Sequence, residues 1–523
     1  MILDKYLKKI YNLSDNHNDI SILDILKIDE NFIEYQKHLN NLSKDNLTDI
    51  EKNIIELETN NFRYLMYLID QTYFNNYYLE LYTYINGLIL EKNNEILEKI
   101  FQSQNIILKV ADIIIYKFEI IQSKKYIMSD EYDLNLYYHP FMIEKMINSL
   151  NFNINLDIED EKIKIIFATF VESINKVKKY LTEILEKKIF KNTGKFGLSN
   201  FKIEFYLFYL KYLIGLNFKN ESQIQKLYLW AYDCLKFNKK QVSKIVKKLY
   251  LDDFLLIKRR KKKYNKLIKL VTDDYNYNFK SLDEVNEIYN NQLDDMYKLI
   301  DIHNVPNTTK CKFITISNSE IATAFYIKNC FYLNTHNWEK YKKYEVKTLV
   351  MHEAYPGHHM QIDIMNNFTS MSYLATLYSN IYNTFMEGWG LFSESLSSDY
   401  SLIDTFGRLD ANMLRTLRII ADIDIHYYGK SPKEVIKKMS NFLALDIAII
   451  TSEVYRYIAY PTQAISYKIG EMAFMGIYYE LRKKNKLKID DKLLFEEYIK
   501  ILKNGILSLD DLLLMYDLEI KLK

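Results

Sequence analysis

The segment "HEAYPGHH" holds four side chains that can bind a metal or move a proton: His352, Glu353, His358 and His359. In the common zinc-binding helix HExxH, two histidines one turn apart bind the metal, and the glutamate between them acts as a general base. Here Pro356 stands where that pattern has its second histidine. The segment therefore predicts a zinc site whose second ligand lies beyond the proline.

Pro356 and Gly357 predict a distorted helix at this point. Proline removes a backbone hydrogen bond and clashes with the preceding turn, and glycine gives the backbone extra freedom. Six residues of straight helix rise about 9 Å, so a kink or widened turn is needed to bring His358 back toward His352. We expect His358 to be the second ligand, with His359 as the alternative, because the sequence does not show which ring faces the metal.

A third ligand is expected from "FMEGWGLFSESL", residues 385–396, which has the pattern of another helix and contains Glu387 and Glu394. Glu387 lies beside Gly388, and we expect the small glycine to let the first helix approach. Two histidines and a glutamate, with the fourth position left to water, form the ligand set of thermolysin-like catalytic sites. We therefore predict a Zn²⁺ cofactor bound by His352, His358 and Glu387.

The elements that position these residues are predicted to be mainly helical. The chain has 523 residues but only 12 Gly and 5 Pro, and segments such as "KIIFATFVESINKVKKYLTEILEKKIF" repeat apolar residues at three and four spacing. The stretch "KFITISNSEIATAFYIKNCFYLNTHNW" is rich in β-branched and aromatic residues and predicts two or three short strands next to the metal-binding helix. We expect an N-terminal helical region, 1–300, to form one wall of a cleft, and a catalytic region at 301–523.

Composition limits the expected partners and location. The 70 basic and 68 acidic residues leave a net charge of +2, which gives no global attraction to nucleic acid or an anionic membrane. We find no apolar run of about 18 residues and no secretory signal pattern at the N-terminus. The basic run "KRRKKK", 258–263, favours a solvated helix end or loop over a nucleic-acid site. These features, with three scattered cysteines, predict a cytoplasmic protein without a membrane or nucleic-acid partner.

Four segments resemble one known family. "HEAYPGHHMQ", "EGWGLFSESL", "RTLRIIADIDIHYYGKS" and "EVYRYIAYPTQAISYKIG" follow the order and approximate spacing of Domain of Unknown Function 885, zincin-like metallopeptidases found mainly in bacteria. The resemblance is strong from about 305 to 485 and extends to 1–300 only in helical character. It implies a helical protein with a gluzincin-type catalytic region around a cleft. It also implies zinc held by His352, one of the two following histidines and Glu387, with Glu353 as base.

The chain departs from the family pattern at several positions. Gly390 and Phe392 stand where the family usually has EGWA-L-Y, Thr462 replaces the glycine of PGQA, and Asp424 stands where glycine is common. None of these positions is a proposed ligand, so we expect zinc binding to be retained while the substrate range can differ. Asp424 and Asp422 are also candidates to orient a ligand histidine.

The later motifs contain four further candidate functional residues: His426, Arg456, Tyr457 and Tyr467. His426 or Tyr467 is a candidate donor to the oxyanion of a hydrolytic reaction. Arg456 is a candidate for a bidentate grip on a substrate carboxylate. The alternatives are ordinary packing for a tyrosine and a pairing of Arg456 with Glu453 on its own helix.

These residues together predict a zinc metallopeptidase, an enzyme that hydrolyses peptide bonds of a peptide or peptide-like substrate. Glu353 is the expected general base and His426, Arg456 and Tyr467 its expected catalytic partners. One alternative is a zinc amidohydrolase acting on a small or modified peptide. Another is a non-catalytic helical scaffold that retains the fold, against which Glu353 argues because a structural zinc site needs no base.

Overall fold

The computed structural model describes residues 94–518, except 103, 123–139, 152–159, 188–194, 201–202, 260–263, 304–308, 318–322, 328, 369–382, 398 and 486–491. Helices predominate in this part of the chain, and three short strands form a small sheet. The predicted mainly helical class and the predicted strands are thus confirmed. The N-terminal segment and most of the basic run, 260–263, lie outside the described residues.

The chain divides into two compact units. The first comprises 1–201 with 372–377 and 459–461, and the second comprises 202–371, 378–458 and 462–523. Residues 202–300 therefore belong to the same unit as the segment with the metal-binding motif. A cleft walled by residues 1–300 stays a prediction.

The first unit is built around one long helix. Its described helices are α1 (Asn94–Gln102), α2 (Asn105–Gln122), α3 (Pro140–Ser149) and α4 (Glu161–Glu186). Helix α4 begins where the Asp160 carboxylate accepts hydrogen bonds from the backbone N–H groups of Lys162 and Ile163, which satisfies two donors of the first turn. Its apolar stripe, including Phe170 and Val177, is buried, and the helix packs against α1, α2 and α3.

The second unit begins with five helices and the sheet. These helices are α5 (Ile203–Tyr209), α6 (Glu221–Leu249), α7 (Leu251–Arg259), α8 (Tyr264–Thr272) and α9 (Leu282–His303). Strands β1 (Lys312–Ile316), β2 (Ala324–Ile327) and β3 (Cys330–Asn334) follow in the order β1-β3-β2, with β1 parallel and β2 antiparallel to β3. Phe331 and Leu333 of the central strand are fully buried, which places one face of the sheet in the core.

Nine further helices complete the second unit as described. They are α10 (Val346–Glu353), α11 (His358–Phe368), α12 (Asn383–Ser393), α13 (Leu402–His426), α14 (Pro432–Met439), α15 (Ile447–Ala459), α16 (Gln463–Asn485), α17 (Lys492–Leu502) and α18 (Leu509–Leu514). Helices α12 and α16 form the most extensive helix pair, and α13 packs against both α6 and α16. These long-range pairs hold the motif-bearing helices together.

Candidate metal centre

The two histidines of the motif meet because the helix stops between them. Helix α10 ends at Glu353, the Tyr355–Pro356 peptide bond is cis, and α11 begins at His358. A Cβ on Gly357 would lie 1.8 Å from the His352 carbonyl oxygen, so only glycine allows this tight return. The predicted kink is therefore a complete break between two helices.

The break brings the His352 and His358 rings face to edge, with centroids 4.8 Å apart and planes at 86°. Glu387 of α12 completes the group: its Oε2 lies 3.6 Å from Nε2 of His352 and 3.6 Å from Nε2 of His358. All three ligand atoms lie within 4.8 Å of one another. The structure thus gathers the three predicted ligands at one point.

His359 turns away from this group. Its ring is fully buried; Nε2–H donates to the Thr309 carbonyl oxygen at 2.5 Å, and Nδ1 accepts from the Tyr326 hydroxyl at 3.0 Å. Burial lowers the pKa of His359. Both ring nitrogens are engaged near the sheet, so the geometry favours His358 over His359 as the second ligand.

Helix α12 is tied to the break by two of its side chains. The Trp389 indole N–H donates to the carbonyl oxygens of Pro356 and Gly357, at 2.9 and 3.2 Å. The Ser393 hydroxyl donates to the Met351 carbonyl oxygen at 2.8 Å. These bonds fix the helix that carries Glu387 against the end of α10.

Two glycines of α12 have roles that differ from the sequence-based interpretation. A Cβ on Gly388 would lie 2.3 Å from Gly470 Cα, so Gly388 allows the close approach of α16. The sequence-based expectation that Gly388 makes room for α10 was wrong. A Cβ on Gly390 would lie 2.7 Å from His352 Cε1 and 3.0 Å from His358 Cε1. The departure at Gly390 thus concerns the ligands directly, because it leaves room for both rings.

A second layer of polar side chains orients the histidines. His352 Nδ1–H donates to Glu394 Oε1 at 2.9 Å, and Arg415 Nη2 donates to the same oxygen at 3.3 Å. His358 Nδ1–H donates to Gln361 Oε1 at 3.2 Å. Such partners fix the ring so that the other nitrogen faces the metal. The sequence analysis missed Gln361 and Arg415, although Gln361 lies one helical turn after His358.

The charges around the three ligands favour a cation. Burial works against ionisation of Glu387, but the two histidines outweigh it and hold its pKa well below the usual range. Burial also disfavours charged His352, yet Glu387 and Glu394 raise the pKa of that ring to about 10. Glu353 is buried at the end of α10, and burial raises its pKa. The buried carboxyl groups of Glu353 and Glu394 and the partly exposed carboxylate of Glu387 thus lie near the histidines.

His426 lies in a separate buried network. Its Nε2–H donates to the Tyr457 carbonyl oxygen at 2.9 Å, and burial lowers its pKa to about 4. Asp422 accepts hydrogen bonds from the Tyr206 hydroxyl at 2.7 Å and the Thr462 N–H at 2.8 Å. Neither residue belongs to the cluster of possible metal ligands among the described side chains.

Asp424 is likewise engaged elsewhere. It accepts from the Tyr228 hydroxyl at 2.6 Å and pairs with Lys430 at 2.6 Å and with Lys438. The candidate role of Asp422 and Asp424 in orienting a ligand histidine finds no contact in the described part of the chain. Glu394 is the carboxylate that contacts a candidate ligand histidine, His352.

Arg456 makes the contact with Glu453 that the sequence allowed. Its Nε and Nη2 donate to the two Glu453 oxygens at 3.2 and 3.1 Å, and the Tyr457 hydroxyl donates to the same carboxylate at 2.6 Å. Arg418 joins the group from α13, with Nη2 3.0 Å from Glu453 Oε2, and its guanidinium lies 4.7 Å above the Tyr467 ring. The sequence analysis missed Arg418.

Comparison with known proteins places the chain in a family. A family model described as "Bacterial protein of unknown function (DUF885)" matches residues 122–513. The chain belongs to the DUF885 family. The match covers all the motifs described above, and it confirms the family resemblance seen in the sequence.

Two solved structures resemble this DUF885 protein. One is a "putative lipoprotein" from Colwellia psychrerythraea, with a TM-score of 0.65 and 16% identity over 97% of this chain and 94% of that chain. The other is a "putative lipoprotein of unknown function" from Shewanella oneidensis, with a TM-score of 0.56 and 15% identity over 98% and 96%. Such identities show a shared fold alone. A search of the curated proteins found no match.

The location of the protein stays a prediction. Over the described residues, the helices are too short or too polar for any of them to cross a bilayer. The word lipoprotein describes the two similar structures. The expectation of a cytoplasmic protein is neither confirmed nor contradicted by these findings.

Proposed function

We propose that this DUF885 protein is a zinc-dependent hydrolase of peptide bonds, a metallopeptidase. The convergence of His352, His358 and Glu387 carries the proposal, since their ligand atoms lie within 4.8 Å of one another. Two imidazoles and a carboxylate suit zinc better than calcium or magnesium, which prefer oxygen ligands. The close approach of both histidine rings to Gly390 and the nearby carboxyl groups also fit a bound cation.

The residues around the cluster fit the steps of amide hydrolysis. A zinc ion held here would polarise the scissile carbonyl and lower the pKa of the attacking water. Glu353 would accept a proton from that water and pass it to the leaving nitrogen. Burial raises the pKa of Glu353, which makes its carboxylate a stronger base than an exposed glutamate.

Tyr467 is the better supported of the two candidate oxyanion donors. Its helix, α16, crosses α12 at the contact of Gly470 with Gly388, directly beside Glu387. The Tyr467 ring retains partial exposure, whereas His426 is buried and donates to a backbone carbonyl. A donor that faces substrate must be accessible, so Tyr467 meets this requirement and His426 does not.

Metal analysis by plasma mass spectrometry tests the site. We expect about one zinc per wild-type chain, because one His₂Glu ligand set holds one metal ion and leaves its fourth position to water. His352→Ala, His358→Ala and Glu387→Ala should each lose the zinc. His359→Ala is the matched control and should keep it, provided that circular dichroism shows a folded protein.

Peptide digestion then tests the chemistry. Glu353→Gln should keep zinc but lose hydrolysis of a peptide mixture by about 10²- to 10⁴-fold, the usual contribution of a general base. Cleavage of small amides without peptides would favour the amidohydrolase alternative. If the wild-type protein takes up no zinc after incubation with the metal, the hydrolase proposal fails and the non-catalytic scaffold remains as the alternative.

A further inference from the structure

Two arginines share a single carboxylate beside the candidate metal centre. Arg418 reaches Glu453 from α13 through Nε and Nη2, at 3.2 and 3.0 Å. Arg456 lies on α15, the helix that carries Glu453, and also donates to that carboxylate. Its Nη1 donates to Gln463 Oε1 at 2.5 Å. Among the described residues, Glu453 is the one carboxylate that pairs with either guanidinium. The group therefore carries one positive charge in excess.

This excess charge is held in place yet open to solvent. The side chains of Arg418 and Arg456 are 12% and 27% exposed, and that of Glu453 is 20% exposed. A charge-balanced pair with no exposure would indicate a purely structural role. Here hydrogen bonds to Glu453 hold both arginine side chains, which remain partly exposed, and a positioned guanidinium of this kind can bind a carboxylate.

Tyr467 connects the arginines with the metal ligands. The Arg418 guanidinium lies over its ring, and its hydroxyl accepts a hydrogen bond from Gln463 Nε2 at 3.3 Å. Tyr467 lies on α16 three residues before Gly470, where that helix touches α12 beside Glu387. Burial and the charge of Glu387 together raise the pKa of Tyr467 to about 12, although the charges of the two arginines oppose them. Tyr467 thus interacts electrostatically with both the candidate metal ligand Glu387 and the two arginines.

We propose that Arg418 and Arg456 form a subsite for a carboxylate of the peptide substrate, next to the metal centre. This inference rests on the proposed peptidase function and specifies its substrate class. A C-terminal carboxylate bound there would direct cleavage to the end of a peptide and release short C-terminal fragments. An acidic side chain offers the same chemistry, and the experiment separates the two sources.

Matched peptide libraries test the subsite. The probes are N-acetylated pentapeptides with a free C-terminal carboxylate, the same peptides as C-terminal amides, and amides that contain glutamate. For the wild type we expect kcat/KM to be on the order of 10- to 100-fold higher for the acids than for the amides, the value of one charge-assisted hydrogen-bonded contact. A preference for glutamate-containing amides would assign the subsite to an acidic side chain.

Variants connect this preference with the two arginines. Arg418→Gln and Arg456→Gln should each lower the acid-to-amide ratio of kcat/KM toward one. Arg456→Lys keeps the charge opposite Glu453 but lacks the planar guanidinium group, so it should lower the acid-to-amide ratio less than Arg456→Gln does. It also replaces Arg456→Gln in the test if that variant fails to fold. Arg482→Gln, an exposed site on α16, is the control and should keep the wild-type ratio.

The failures of the two proposals can be told apart. Equal cleavage of all three kinds of peptide by the wild type, or unchanged preferences in folded Arg456→Lys and Arg418→Gln, would overturn the subsite and leave the peptidase in place. Calorimetric binding of the dipeptide N-acetyl-Phe-Ala and of its amide to zinc-free protein gives a readout without catalysis. Tighter binding of the acid, together with no hydrolysis of any probe by the zinc-loaded wild type, would keep the subsite and overturn the peptidase.

Discussion

At the scale of single residues, Glu394 is the side chain that orients His352. Its Oε1 accepts from His352 Nδ1 and from Arg415, and the carboxylate is 4% exposed. This contact leaves Nε2 as the ring nitrogen that faces Glu387 and His358. The carboxylate therefore selects both the tautomer and the direction of the ligand.

We predict that Glu394→Gln weakens zinc binding about 10- to 100-fold, because a neutral amide holds the histidine less firmly and makes it a poorer ligand. The measurement is a competition titration of zinc against a chromogenic chelator. Glu339→Gln, at an exposed glutamate outside the cluster of possible metal ligands, is the control and should bind zinc as the wild type does. An affinity for zinc within twofold of wild type in Glu394→Gln would contradict the assigned role.

The choice between His358 and His359 also belongs to this scale. The sequence predicted the residue type and the approximate position but could not decide between adjacent side chains. In a helix, neighbouring residues point about 100° apart, so only one of the two rings can face His352. The direction in which α11 leaves the break decides the matter, and that direction depends on Gly357 and on Trp389 of another helix.

At the scale of elements, the contact between α12 and α16 holds Glu387 in place. The two helices approach so closely at Gly388 and Gly470 that a Cβ on Gly470 would lie 2.0 Å from the Thr384 carbonyl oxygen. Backbone atoms cannot move aside as a flexible side chain can. The distance between these helices therefore depends on glycine at both positions.

We predict that Gly388→Ala and Gly470→Ala each destabilise the protein by about 1–3 kcal/mol or more, because the added methyl forces the helices apart. Gly476→Ala is the matched control on α16, where the nearest atom to an added Cβ is Leu518 Cδ1 at 4.0 Å. That variant should be neutral or stabilised by about 0.5–1 kcal/mol, since alanine favours a helix interior.

Thermal and urea-induced unfolding measure the three glycine variants. Zinc affinity should fall in Gly388→Ala and Gly470→Ala, because Glu387 moves with α12. If both variants unfold with the same free energy as Gly476→Ala, the close helix contact does not exist in solution.

At the scale of the whole molecule, buried titratable groups connect stability with pH. Burial lowers the pKa of His426 to about 4, although its bond to the Tyr457 carbonyl raises it. The unfolded value is about 6.5, so between these pH values the unfolded chain binds more protons than the folded chain. The contribution of His426 to stability is therefore complete above about pH 6.5 and is lost as the pH falls toward 4.

We predict that the free energy of unfolding of the wild type, relative to His426→Gln, decreases by about 3 kcal/mol between pH 7.5 and pH 4. Asp422 lies 4.0 Å from His426, and it remains in both proteins. Urea unfolding across this pH range gives the difference, with His336→Gln, an exposed histidine, as the control. A difference between wild type and His426→Gln that does not vary with pH would contradict a neutral buried His426.

Much of the architecture could be predicted because it depends on local rules. Helical spacing of apolar residues is visible in "KIIFATFVESINKVKKYLTEILEKKIF", and α4 covers most of that segment. The three strands lie within the stretch rich in β-branched and aromatic residues. The interruption at Pro356 also follows from the missing N–H of proline, although the sequence predicted a kink where the structure has a break.

The sequence by itself determined the mainly helical class and the family, and it predicted the residue types at the candidate site, because periodicity, proline chemistry and motif spacing act over a few neighbouring positions. Only the tertiary structure decided that His358 joins Glu387, that Gly390 and not Gly388 faces the ligands, and that Arg418 meets Glu453. These contacts join helices that are distant in the chain. Their geometry depends on how side chains pack at helix crossings, which no local pattern encodes.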